Sequence, residues 1–227
     1  MTKTIISEEP RHKRECRSKK PIVSASDIEA IKSQYQENIK DIKRKFSLVT
    51  ELRKRKEIKE AQEILRSQIV FLDSSLDYYF HGVVLYGLKK ILNGDWSESE
   101  AFRAYKVDLG FAFDLAKSFD KKESLFDEHI VEGLFSRPFM DYEQAKKHLT
   151  IIGIGSSSGC PFSQQKDKMT KLYKRRNQIA HQTDRIPGET QKQAITIKCV
   201  QNFIKDANEI VKCVNKLIDD KNTESGK

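Results

Sequence analysis

Between Ile58 and Leu92 apolar side chains recur at helical spacing and grow denser along the run: Ile64, Leu65, Val70, Leu72, Leu76, Tyr79, Phe80, Val83, Val84, Leu88, Ile91 and Leu92. The spacing predicts one long helix, closed by the stop signal Asn93-Gly94. A helix this apolar needs other helices around it, so it commits the chain to a helical bundle. Within it Asp73, Asp77 and His81 stand at i, i+4 and i+8, a polar stripe that must be satisfied somewhere. Either the stripe is the exposed face of an amphipathic helix, or it lies against a second helix whose cation one aspartate pairs. Tyr78 and Phe80 leave little of this helix to face water.

The flanking sequence is also helical. Ser26-Asp27-Ile28-Glu29 matches a capping box. Ile28, Ile31, Tyr35, Ile39, Ile42, Phe46, Val49 and Leu52 then recur at spacings of three and four, a seam for a helix of this chain or of a second copy. Arg53-Lys54-Arg55-Lys56 interrupts that seam as a solvated turn or helix face. Residues 95–123 predict a helix with Phe102, Tyr105, Leu109, Phe113 and Ala116 on one side, preceded by Trp96 as a core anchor. Two short helices follow, broken at Arg137-Pro138, the second opening near Asp141 and carrying Tyr142, Ala145, Leu149 and Ile152. Gly153-Ile154-Gly155-Ser156-Ser157-Ser158-Gly159 lacks the third glycine of a dinucleotide fingerprint and a preceding strand, so it reads as a connector. Thr190 and Gln193 form a second capping box before a last helix bearing Ile195, Val200, Phe203, Ile204, Ala207, Ile210, Val211, Val214, Leu217 and Ile218. The expected architecture is all-α: an up-and-down bundle with a long N-terminal helical extension. Residues 1–25 read as a disordered basic arm, 26–57 as the extension, 58–219 as the bundle and 220–227 as a charged, disordered tail.

Charge narrows the partners. A formal net charge of +9 over 227 residues points to a polyanion such as RNA or DNA. The arm from Arg11 to Lys20 is either a tether for that polyanion or a solvated tail. No run approaches the roughly 18 apolar residues of a membrane span, and the N-terminus has no signal-type apolar core. Cys16, Cys160, Cys199 and Cys213 have no metal-ligand spacing, and His129 and His148 lack ligating neighbours, so neither metal nor cofactor is expected. Cys199 and Cys213 read as small core residues of a reduced, cytoplasmic protein.

Lys166 to His181 predicts a further helix, with Met169, Leu172, Tyr173, Ile179 and Ala180 on a face that also takes Arg176. A guanidinium aimed inward calls for a carboxylate or a phosphate. Asn177 and His181, four apart, share a face, so the amide can set the imidazole tautomer. Arg176 and His181 are about 140° apart around an ideal helix. They converge only if the helix ends at His181, if the arginine bends round, or if a second copy faces the first.

Arg176-Asn177-Gln178-Ile179-Ala180-His181 resembles the R-x4-H motif, with Asn after the Arg, of the HEPN superfamily of helical ribonucleases. The wider chain, from about residue 60 to 218, is similar to the RiboL-PSP branch, including Leu92-Asn93-Gly94-Asp95-Trp96 and Arg175-Arg176-Asn177 before Ile179-Ala180-His181. The glycine-serine connector departs from the family, which has more helical sequence there. The resemblance implies a metal-independent endoribonuclease with two such helices facing each other across a homodimer. Arg176, His181 and Asn177 would be catalytic, and a 2′,3′-cyclic phosphate would be left. RNA is then the substrate, an antitoxin or defence-complex partner is expected, and the role is that of a toxin or antiphage effector. Lys168, Lys171, Lys174 and Arg175 would draw in the polyanion, with Asp73, Asp77 and His81 as supporting polar groups. The other reading is a non-catalytic HEPN-like module for dimerisation or RNA binding. Regulation through a tyrosine two residues after the histidine is disfavoured, because Thr183 stands there.

Overall fold

The computed structural model describes residues 27–106, 109–117, 139–155, 160–186, 188 and 190–225. The basic arm, His129, the Arg137-Pro138 break, Ser156 to Gly159 and the last two residues lie outside them. The described chain is an all-α bundle without strands, and none of its helices is long and apolar enough to cross a membrane.

Helix α1 spans Ile28–Lys54. Its cap is Asp27, whose carboxylate accepts from the Glu29 N–H at 2.9 Å. The Ile31, Tyr35, Ile39, Ile42 and Val49 seam is buried against the chain's own helix α2, Ile58–Leu92, which settles the choice the sequence left open. The basic run ends α1 with Arg53 and Lys54 and turns the chain at Arg55 and Lys56, the latter left-handed at φ 63°. Ile31 at the start of α1 lies so near Gly82 that a Cβ there would stand 3.0 Å from its side chain. The two helices therefore form an antiparallel hairpin.

Helix α2 is the axis of the bundle. Leu65, Ile69, Leu72, Leu76, Tyr79, Phe80 and Val83 are fully enclosed, and truncating any such large aliphatic group costs about 2–5 kcal/mol. The region expected as one helix over 95–123 is split in its described part into α3, Glu100–Arg103, and α4, Leu109–Lys117. Ser99 Oγ caps α3 through the Phe102 N–H and donates to the Ile151 carbonyl, so that turn is tied down separately. Tyr105, Leu109 and Phe113 are exposed rather than on a buried side. Helix α5, Tyr142–Ile151, opens at Asp141 as expected. Ile152 after it wedges against Gly87 of α2, where a Cβ would come within 2.7 Å of its side chain.

A 3₁₀ turn, Pro161–Gln165, runs directly into α6, Lys166–Gln182, which packs on α2 and on the last helix, α7, Ile197–Ser225. Two expectations fail at α7. Thr190 and Gln193 do not cap it: the Gln193 carbonyl accepts from Arg66 and its N–H donates to the Asp184 carbonyl, which holds that segment outside the helix, and the cap is Thr196. Nor does a disordered tail begin at 220, because the helix continues to Ser225. Asn222 there accepts from the buried Trp96 indole at 3.0 Å, which ties the final turns to the core. Of the described cysteines, Cys160 is buried while Cys199 and Cys213 are only half-buried, and all three are free.

Candidate functional site

The end of α6 is shaped by strain and charge together. Thr183 and Asp184 are left-handed, at φ 51° and 62°, a conformation that costs non-glycine residues roughly 1–2 kcal/mol each. The Asp184 N–H reaches back to the Gln178 carbonyl at 2.8 Å, the six-residue closure that commonly ends a helix. The turn is held by the Asp184 carboxylate, which is wholly buried. Arg66 of α2 donates to it from Nε at 2.6 Å, and Arg175 of α6 approaches with Nη1 at 2.7 Å and Nη2 at 3.1 Å. Both guanidiniums also meet carbonyls, Gln193 for Arg66 and Ala194 for Arg175.

Arg175 is therefore not an exposed RNA contact: it is the more deeply buried of the two arginines of α6, and Asp184 is the reason. The other three expected contacts divide. Lys171 and Lys174 are exposed, whereas Lys168 is tied to Glu209 at 2.7 Å and to Gln165 at 2.9 Å. Of the expected inward face, Met169 and Leu172 are buried and Ile179 half-buried, while Ala180, at the end of the helix, is exposed.

Arg176 lies beside this network, its side chain 30% exposed. Its Nε stands 3.3 Å from Asp73 Oδ2, and its Nη1 donates to the Asn177 side-chain oxygen at 2.9 Å. The polar stripe of α2 thus meets the motif helix at Asp73. The pair is close but misaligned: among the described residues neither Arg176 Nε nor Asp73 Oδ1 has a hydrogen-bond partner. Burial pushes the Asp73 carboxyl up to about 7, against the pull of Arg176 and with a further push from Asp77. Asp77 is also raised, mainly by burial, while His81, the Phe139 N–H and Arg176 pull it down.

His81 belongs to a different cluster. Its Nδ1 is 2.8 Å from the Asp77 carbonyl, and its ring stacks on Phe139 at 4.1 Å; His148 stacks on Phe139 at the same distance. The Phe139 N–H donates to Asp77 Oδ1 at 2.5 Å. His181 is exposed on the last turn of α6 and, among the described residues, makes no hydrogen bond or ion pair. Asn177 makes no hydrogen bond to it, and its amide oxygen accepts from Arg176 instead. The helix continues regularly through both motif residues to Gln182, so Arg176 turns inward and His181 outward within one subunit.

Sequence reading missed Arg66, Asp184 and Phe139. A charged residue beside Leu65 in an apolar run was a visible signal for Arg66. Asp184 carries no such signal, standing among the polar residues Gln182, Thr183 and Arg185. Among the described residues no three His, Cys, Asp or Glu side chains converge as a metal site requires.

An all-α bundle presenting Arg-Asn and His near the end of one helix defines a class of helical proteins with a motif-bearing helix packed on a central one. A family model described as RiboL-PSP-HEPN matches residues 26–220, most of the chain, and the chain belongs to that family. The match begins before Ile28, so α1 lies inside the family domain rather than preceding it. No curated protein and no solved structure matches the chain.

Proposed function

We propose that this chain is a metal-independent endoribonuclease acting as a toxin or antiphage effector in the cytoplasm. The observation that carries this reading is the pairing, on one helix of a HEPN-family chain, of a guanidinium backed by a carboxylate with an imidazole open to solvent. His181 takes the proton from an RNA 2′-hydroxyl, which attacks the adjacent phosphorus. The P–O5′ bond breaks, the 5′-oxygen takes up a proton, and a 2′,3′-cyclic phosphate remains. Arg176 stabilises charge gathering on the non-bridging oxygens, which its fork matches in pairs. Because the two groups diverge within one subunit, a homodimer brings Arg176 to the partner subunit's His181. DNA lacks the attacking hydroxyl and survives.

One observation favours a second reading, a non-catalytic module for dimerisation or RNA binding. Arg176 already rests against Asp73, and no described contact joins it to His181. Incubating the protein with total RNA in chelator, beside His181→Ala, and mapping the ends decides between them. Cyclic phosphate ends from wild type alone support the enzyme; intact RNA bound with a steep salt dependence supports the module.

A further inference from the structure

The Arg176 guanidinium is held on two sides. Its Nε edge rests against the buried Asp73 of α2, and Nη1 donates to Asn177. This turns the outer end of the fork toward the face of α6 that carries Asn177. On that face Thr170, Lys174, Asn177 and His181 follow one another at spacings of four, three and four, so the regular helix stacks them in a single row. The inward arginine and the outward histidine are thus joined by Asn177, which touches the first and stands one turn below the second.

Beside this row runs an open groove of about 560 Å³, walled by the first residues of α5 and lined on α6 by Thr170, Tyr173, Lys174, Asn177, Gln178 and Gln182. The volume falls in the range of about 300–1,000 Å³ usual for small-ligand clefts. We propose that this groove is a nucleotide subsite, taking the base and sugar of one RNA residue next to the scissile phosphate. The inference rests on the ribonuclease reading of Arg176 and His181.

The lining suits an unpaired base. Single-stranded RNA is recognised by stacking and by hydrogen bonds to exposed base edges. Asn177, Gln178 and Gln182 supply carboxamide N–H donors, and Gln182 an oxygen to accept. Gln178 is oriented, because its oxygen accepts from Gln193 at 3.1 Å. Tyr173 offers a half-buried ring. The α5 wall is rigid: Tyr142 stacks on Phe162 with centroids 5.4 Å apart. Its one carboxylate, Asp141, accepts from the Glu143 N–H at 3.2 Å and faces a helix N-terminus, while Lys174 gives the mouth a cation for the flanking phosphate.

The test uses the full chain and an oligoribonucleotide 2′-O-methylated throughout, hence uncleavable, carrying one 4-thiouridine. Photo-cross-links to residues 173–182 or to Asp141 and Tyr142 are expected; cross-links confined to other faces overturn the subsite. In kinetics, Lys174→Ala and Gln182→Ala raise KM about tenfold each and broaden the base preference at the cut, with kcat little changed, as loss of uniform binding requires. Unchanged KM and preference in both variants overturn the subsite. Arg176→Ala and His181→Ala separate the two levels: if they cut like wild type, the ribonuclease reading itself fails. If they are inactive while the groove variants behave as wild type, only the subsite fails.

Discussion

Arg66 and Asp184, 118 positions apart in the chain, meet with Nε and Oδ2 at 2.6 Å in a place closed to water. With Arg175 they make one anion between two cations, and the anion sits on a left-handed turn just past the motif helix. That contact decides where α6 ends, and therefore where His181 stands.

Removing the shared anion leaves the buried Arg175 without a carboxylate and Arg66 with only the exposed Glu63. Asp184→Ala is expected to destabilise the fold by about 3–5 kcal/mol, the usual cost of breaking a buried ion pair. Urea denaturation followed by circular dichroism measures it; a loss below 1 kcal/mol would show that the network is not holding the turn. Thr183→Gly, which relieves a left-handed exposed residue, is expected to stabilise by about 1 kcal/mol.

Alanine at Arg176 or at His181 should lower cleavage at least about 100-fold while the bundle and its self-association persist. The composite site makes a sharper prediction. Mixing the two inactive variants should restore about a quarter of wild-type activity, since half the random dimers are mixed and each holds one complete site. Mixtures as inactive as their parents would rule out a site shared between subunits.

Asp73 ties stability to pH in an unusual direction. Its carboxyl is raised by burial from 3.8 to about 7, so the folded state binds the proton more tightly than the unfolded chain does. The stabilisation is complete below the unfolded value and is lost as pH rises through about 7. Because Asp77 is raised too, the comparison is with Asp73→Asn: the melting temperature of wild type relative to that variant should fall from pH 4 to pH 8. A difference independent of pH would contradict the assignment.

Lys171 and Lys174 are exposed cations near the motif on α6. Replacing both by alanine should weaken binding of uncleavable RNA and reduce the slope of log K against log salt by about 1.4, two single-strand phosphate contacts. Arg175→Ala should instead act on stability. If it changed the salt slope as much as Lys174→Ala with no loss of stability, its buried placement would be wrong.

The sequence by itself determined the helical class, because period and composition are local properties. The seam of α1, the long apolar α2 with its stop at Asn93-Gly94, and the opening of α5 at Asp141 were legible from spacing alone. So was the demand that an inward arginine on α6 find an anion. Spacing set Arg176 on that face and Arg175 among the exposed contacts, although the two are one residue apart and a helix turns only about 100° between them. Tertiary packing decided by burying Asp184 under Arg175 and leaving Arg176 to Asp73. The same packing held residues 190–196 out of the last helix against a capping signal, since the Gln193 carbonyl was the acceptor Arg66 needed. Burial of a charge depends on partners far away in the chain, and a linear pattern records only that a charge is present.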